Sequence, residues 1–119
     1  MKRIIVYGTD GYCDVKYAHL ALAQFLHSSK EFNGLEPFLM VYSDRNAALG
    51  NMVRNLGLAI GPAAWEGYNA RSAPTLRQRL LNLPHVCGAI VFWDGKSRGT
   101  KTMIDMIEKK GIPFAVHMI

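Results

Sequence analysis

Cysteine is scarce in this chain of 119 residues: it has two, Cys13 and Cys87. Neither belongs to a C-x-x-C pair, and none of the four histidines (His19, His27, His85 and His117) stands at a metal-ligand spacing from a cysteine. Both observations point away from a disulfide scaffold and a structural metal. The expectation is a reduced, cytoplasmic protein with no metal and no cofactor. Long apolar runs are missing too, so no transmembrane span is expected. The first residues, Met1 to Gly8, carry two basic side chains, but their apolar run is too short for a secretory signal. Internal repeats and low-complexity segments are absent, as is the full G-x-G-x-x-G pattern of dinucleotide-binding loops.

What is present suits a globular domain. Half of the residues are hydrophobic and 19% are charged, and the length fits one domain spanning residues 1–119. The net charge of +5 is a modest excess that favours anionic ligands without specifying nucleic acid.

Apolar runs alternate with stretches of helical period. Arg3 to Tyr7 reads as a central parallel strand, and Asp14 caps a helix over Val15 to Ser28. Pro37 to Tyr42 is a second strand, followed by a helix over Ala47 to Leu56 that Gly57 closes. Leu58 to Trp65 is a weaker third strand, bent at Gly61 and Pro62. After a loop over Glu66 to Ala73, Pro74 opens a helix that runs to Asn82. Ala89 to Trp93 is the fourth strand, and Phe114 to Met118 the fifth. This alternation predicts an α/β fold of three layers: a doubly wound, Rossmann-like parallel sheet of five strands in the order 3-2-1-4-5. The ligand crevice of such a sheet lies where strand order reverses, between the first and fourth strands.

The stretch from Ala89 to Pro113 organises the rest. A buried strand leads into the polar, glycine-bounded turn Asp94 to Gly99. From Thr100 a helix follows, with Met103, Ile104 and Ile107 on one face, stopped at Gly111. Free amides and the positive end of a helix dipole meet there, beside the hydroxyls of Ser97 and Thr100 and the cations Arg98 and Lys101. That combination suits a phosphate. In the plainer reading Gly95 and Gly99 only form turns, Thr100 is an N-cap, and the cations are solvated surface.

These residues also resemble a known family. Phe92-Trp-Asp-Gly-Lys-Ser-Arg-Gly-Thr100, followed by a helix and Gly111-Ile-Pro113, is similar to the SLOG superfamily. These are the Rossmann-like domains related to the Smf/DprA and LOG proteins, and the small YspA/YpsA-like branch is nearest. Trp65-Glu66, a loop tyrosine, Ala73-Pro74 and Gln78-Arg79 follow that branch's pattern. So does the first loop, with Gly8, Thr9, Tyr12 and Asp14. The resemblance implies binding of a nucleotide or nucleotide-derived phosphorylated molecule at the switch point. The expected ligand residues are Gly8, Thr9, Asp10 and Tyr12 in the first loop, Ser43 and Arg45 in the second, and Asp94, Gly95, Lys96, Ser97, Arg98, Gly99, Thr100 and Lys101.

Three departures qualify it. Asp10 stands where the family's first loop carries Arg. Ser43-Asp44-Arg45-Asn46 replaces a Gly-Ala-x-Gly-Ala-Asp pattern. Met103 occupies the place of the glutamate that LOG-type phosphoribohydrolases use in cleaving the glycosidic bond, and it has no acid–base chemistry. The expectation is therefore binding without catalysis. The alternatives are a hydrolase using Asp10, Asp44 or Asp94 as its carboxylate, and a single-stranded nucleic-acid binder.

Other residues carry two readings each. Cys13 is a loop nucleophile or a bystander. Trp65 and Tyr68 stack on a base or pack in the core. Arg71, Arg77 and Arg79 form a basic run in which about half of the charges are plain surface. Tyr17, Leu20, Ala21 and Phe25 give the first helix apolar area beyond the sheet's needs, so a homo-oligomer, at least a dimer, is expected.

Overall fold

Burial on both sides explains why the first strand reads as an unbroken apolar run. Ile4 and Val6 point into one core and Ile5 into another, and all three are inaccessible to solvent. The computed structural model describes residues 1–9, 11–12, 14–28, 37–45, 47–59 and 63–119. Its elements are β1 (Lys2–Gly8), α1 (Val15–Ser28), β2 (Phe38–Ser43), α2 (Ala47–Ala59), β3 (Ala63–Tyr68), α3 (Ala73–Leu81), β4 (Val86–Trp93), α4 (Arg98–Lys110) and β5 (Phe114–Met118). The strands are all parallel, in the order β3-β2-β1-β4-β5. This is the doubly wound, Rossmann-like sheet expected from the sequence.

One core joins Ala18, Leu22 and Phe25 of α1 and Leu49, Met52 and Leu56 of α2 to one face of the sheet. The other joins Leu80 and Leu81 of α3 and Met103, Ile104 and Ile107 of α4 to the opposite face. Chain direction across the sheet reverses after β3, so right-handed crossovers put the two helix pairs on opposite faces. At the bottom of the second pair, Lys110 Nζ donates to Leu81 O at 2.7 Å and to Asn82 Oδ1 at 3.0 Å, tying the end of α4 to the end of α3.

Several boundaries differ from the sequence reading. Helix α2 runs past Gly57 to Ala59, taking in Leu58, which the alternation had placed in a strand. Gly57 is a contact glycine and not a helix stop, because a β-carbon there would collide with the Trp65 ring. Strand β3 extends to Tyr68, through residues read as loop, and pairs with β2 up to Ser43. The expected bend at Gly61 and Pro62 lies outside the described residues. Ser72 caps α3, its side chain accepting from the Thr75 amide, and Pro74 sits within the first turn. Helix α4 starts at Arg98, two residues early, with Ser97 and not Thr100 at the N-cap. Gly111 ends it in the left-handed conformation (φ 78°), as the sequence implied.

Among the described residues no helix is long and apolar enough to cross a membrane.

Candidate ligand site

The switch point holds a cleft of about 330 Å³ at the carboxyl ends of β1 and β2, reaching the first turns of α3 and α4. Six expected residues line it: Gly8, Ser43, Arg45, Ser97, Gly99 and Thr100. Tyr7, Leu49, Ala73, Leu76 and Arg77 complete the wall. The loops of β1 and β4 are stitched together behind it. The Thr9 amide donates to Phe92 O at 2.9 Å, and Thr9 Oγ1 accepts from the Asp94 amide at 3.3 Å. Thr9 thus fixes the loops and does not line the cleft.

Asp94 shapes the start of α4. Its Oδ1 accepts from the amides of Lys96 and Ser97, both at 2.8 Å, and its Oδ2 accepts from the Ser97 hydroxyl at 3.1 Å. The Ser97 amide, and next the Lys96 amide, hold this carboxyl below the usual carboxylate range. Two of the amides expected to meet phosphate are therefore already engaged. The Trp93 indole donates to Ser97 O at 3.1 Å and braces the same turn. Three amides remain, those of Arg98, Gly99 and Thr100, with no acceptor among the described residues. Thr100 is 4% exposed and lines the cleft.

The remaining expected residues sit apart from the lining. Gly95 (φ 80°), Lys96 and Arg98 are exposed. Lys101, also exposed, pairs with Asp105 at 2.8 Å, and that carboxylate raises the affinity of the ammonium for its proton. Tyr12 stacks on Phe92 with ring centroids 4.8 Å apart. Asp10 and Cys13 lie outside the described residues. Of the other carboxylates weighed for hydrolysis, Asp44 packs against Gly67, and Asp94 is occupied by its own loop. Trp65 lies against Gly57 and Tyr68 beneath the Arg79 guanidinium, so neither ring lines the cleft. Met103 is a core residue.

The residue that sequence reasoning undervalued is Arg77. Its neighbours in the basic run behave as surface: Arg71 is exposed, and exposed Arg79 donates to Asn69 O at 2.8 Å. Arg77 instead is 8% exposed, lines the cleft, and leaves its Nε without a hydrogen-bond partner. Among the described residues it has no ion pair. The signal was present in the helical period: Ala73, Arg77, Leu80 and Leu81 fall at i, i+4, i+7 and i+8, so Arg77 occupies the buried stripe of α3.

The guanidinium also lies at the positive end of α4, which is unfavourable for a cation by itself. An anion between the guanidinium and the first-turn amides would be bonded by both. Compared with known proteins, the chain matches no family model and no curated protein.

Proposed function

We propose that this chain binds a small phosphorylated ligand at the switch-point cleft and does not transform it. The carrying observation is Arg77, largely buried in the cleft wall with no ion pair among the described residues and its Nε unpartnered, set beside the unpaired first-turn amides of α4. The resemblance of the fourth-strand segment to the SLOG superfamily supports a nucleotide or nucleotide-derived ligand, sensed or sequestered in the cytoplasm. The expectation of binding without catalysis rests on Met103, which stands where the LOG-type glutamate would be and carries no acid–base group.

Native mass spectrometry of the freshly purified protein tests this reading, followed by incubation with nucleotides and chromatography. The expected result is a co-purifying phosphorylated molecule recovered intact. Steady release of free base or ribose phosphate would move the protein to the hydrolase class. A salt-sensitive gel shift with single strands, without small-molecule binding, would move it to the nucleic-acid binders.

The same reading includes a homo-oligomer paired through α1. Leu20 and Tyr17 support it, at 65% and 39% exposed, while Ala21 and Phe25 of the same helix are spent on the chain's own core.

A further inference from the structure

Two cations reach the cleft, and they come from different elements. Arg77 stands on α3, buried against Gly99, while Arg45 stands in the turn between β2 and α2. That turn is one of the places where the chain leaves the SLOG pattern. The chain's own bonds fix it. Ser43 Oγ accepts from the Arg45 amide at 3.2 Å, and the Asp44 amide donates to Tyr68 O at 2.8 Å. The Asp44 side chain lies against Gly67 of β3 and forms no ion pair with Arg45. The exposed Arg45 guanidinium has neither ion pair nor hydrogen bond among the described residues. Other exposed cations near this end serve elsewhere. Arg79 donates to Asn69 O and Lys101 pairs with Asp105, while Arg71, Lys96 and Arg98 lie outside the lining.

The Arg77 side of the cleft is complete for one phosphoryl group. A terminal phosphoryl presents three acceptor oxygens. The guanidinium and the amides of Arg98, Gly99 and Thr100 match them with donors to spare. The cleft, at about 330 Å³, lies within the range of small-molecule sites and has room for more than that group. A second guanidinium in the same lining repels the first unless the ligand brings further negative charge.

We infer that Arg45 seats a second phosphoryl group, so that the ligand carries two. Arg77 and the α4 amides hold the first. Arg45 holds the second, as the tail of a diphosphate or as a separate phosphate ester on the same molecule. The inference rests on the phosphate reading above and adds to it the number of phosphoryl groups.

Calorimetry on the whole chain, without divalent metal, tests it with inorganic phosphate, adenosine 5′-monophosphate, adenosine 5′-diphosphate and adenosine 3′,5′-bisphosphate. The diphosphate or the bisphosphate should bind at least about 5-fold tighter than the monophosphate, the gain of one ion pair at a partly open site. Which of the two gains tells whether the phosphoryl groups are linked or apart. Arg45→Gln should bring that preference below about 2-fold, and Arg45→Glu, the second variant, should reverse it. Arg77→Met should weaken every ligand at least about 10-fold and keep the preference. A preference below about 5-fold in the parent, or one that survives both Arg45 variants, would overturn the second seat and leave the phosphate reading standing. No binding by any member of the set would remove that reading and this inference with it.

Discussion

The Arg77 guanidinium lies against Gly99, with Nη1 3.3 Å from the point a β-carbon on that glycine would occupy. A cation of α3 thus rests on the first turn of α4, made possible by a missing side chain. The cation and the positive end of the α4 dipole face each other, an unfavourable pairing by itself. The proposed anionic ligand would join them.

Arg77→Leu should therefore separate stability from binding. Arg77 sits on the buried stripe of α3 without an ion pair among the described residues, so an apolar side chain of similar size should cost the fold nothing. The urea midpoint of the ligand-free variant should equal or exceed that of the parent, while affinity for phosphate esters falls. A large loss of stability would mean that the guanidinium holds the fold together.

Acid should loosen the loop before α4. The Asp94 carboxyl is held below its ordinary range by the Ser97 and Lys96 amides, so folding favours its charged form. Its contribution is fully present above the unfolded value, about 3.9, and is lost as pH falls through the lower folded value. Urea midpoints of the parent and of Asp94→Asn should differ by a constant amount from pH 7 to pH 5. Below about pH 4 the two should converge. A difference independent of pH down to the acid limit would contradict the assignment.

These comparisons also show what sequence could and could not convey. Strand order and the crevice follow from alternation and chain reversal, properties of long segments that survive local error. Gly57 misled because a glycine that ends a helix and one that admits a tryptophan ring look alike in one dimension. Ser97, and not Thr100, became the N-cap because Asp94 draws the preceding amides into a turn, a competition between side chains that spacing does not reveal. Arg77 was legible through its helical phase, yet a reading of charge runs counted it with Arg71 and Arg79. Arg98 and Lys101 carried the expected charge at the expected loop, but exposure and the Asp105 carboxylate take them elsewhere.

Assembly should depend on α1. Light scattering at micromolar concentration should give at least twice the 13.3 kDa chain mass. Leu20→Glu should reduce it to one chain without altering the circular dichroism spectrum, because that side chain lies outside both cores. A parent protein that is monomeric under these conditions would rule the pairing out.

The Lys110 ammonium, bonded to Leu81 and Asn82, has a consequence at the far end of the molecule. It acts as the rivet of a pair of tongs whose arms are α3 and α4, with Arg77 on one arm near the jaws and Gly99 on the other. A joint fixed at the base turns any small rotation into its largest displacement at the tips. The grip on the proposed ligand would therefore be set about 16 Å away, taking a rise of about 1.5 Å per residue from Lys110 to Gly99 along α4. Lys110→Met should accordingly speed amide exchange in the first turns of both helices while every residue of the cleft stays unchanged. If exchange quickens only around Leu81 and Asn82, the arms move independently and the tie at Lys110 does not reach the cleft.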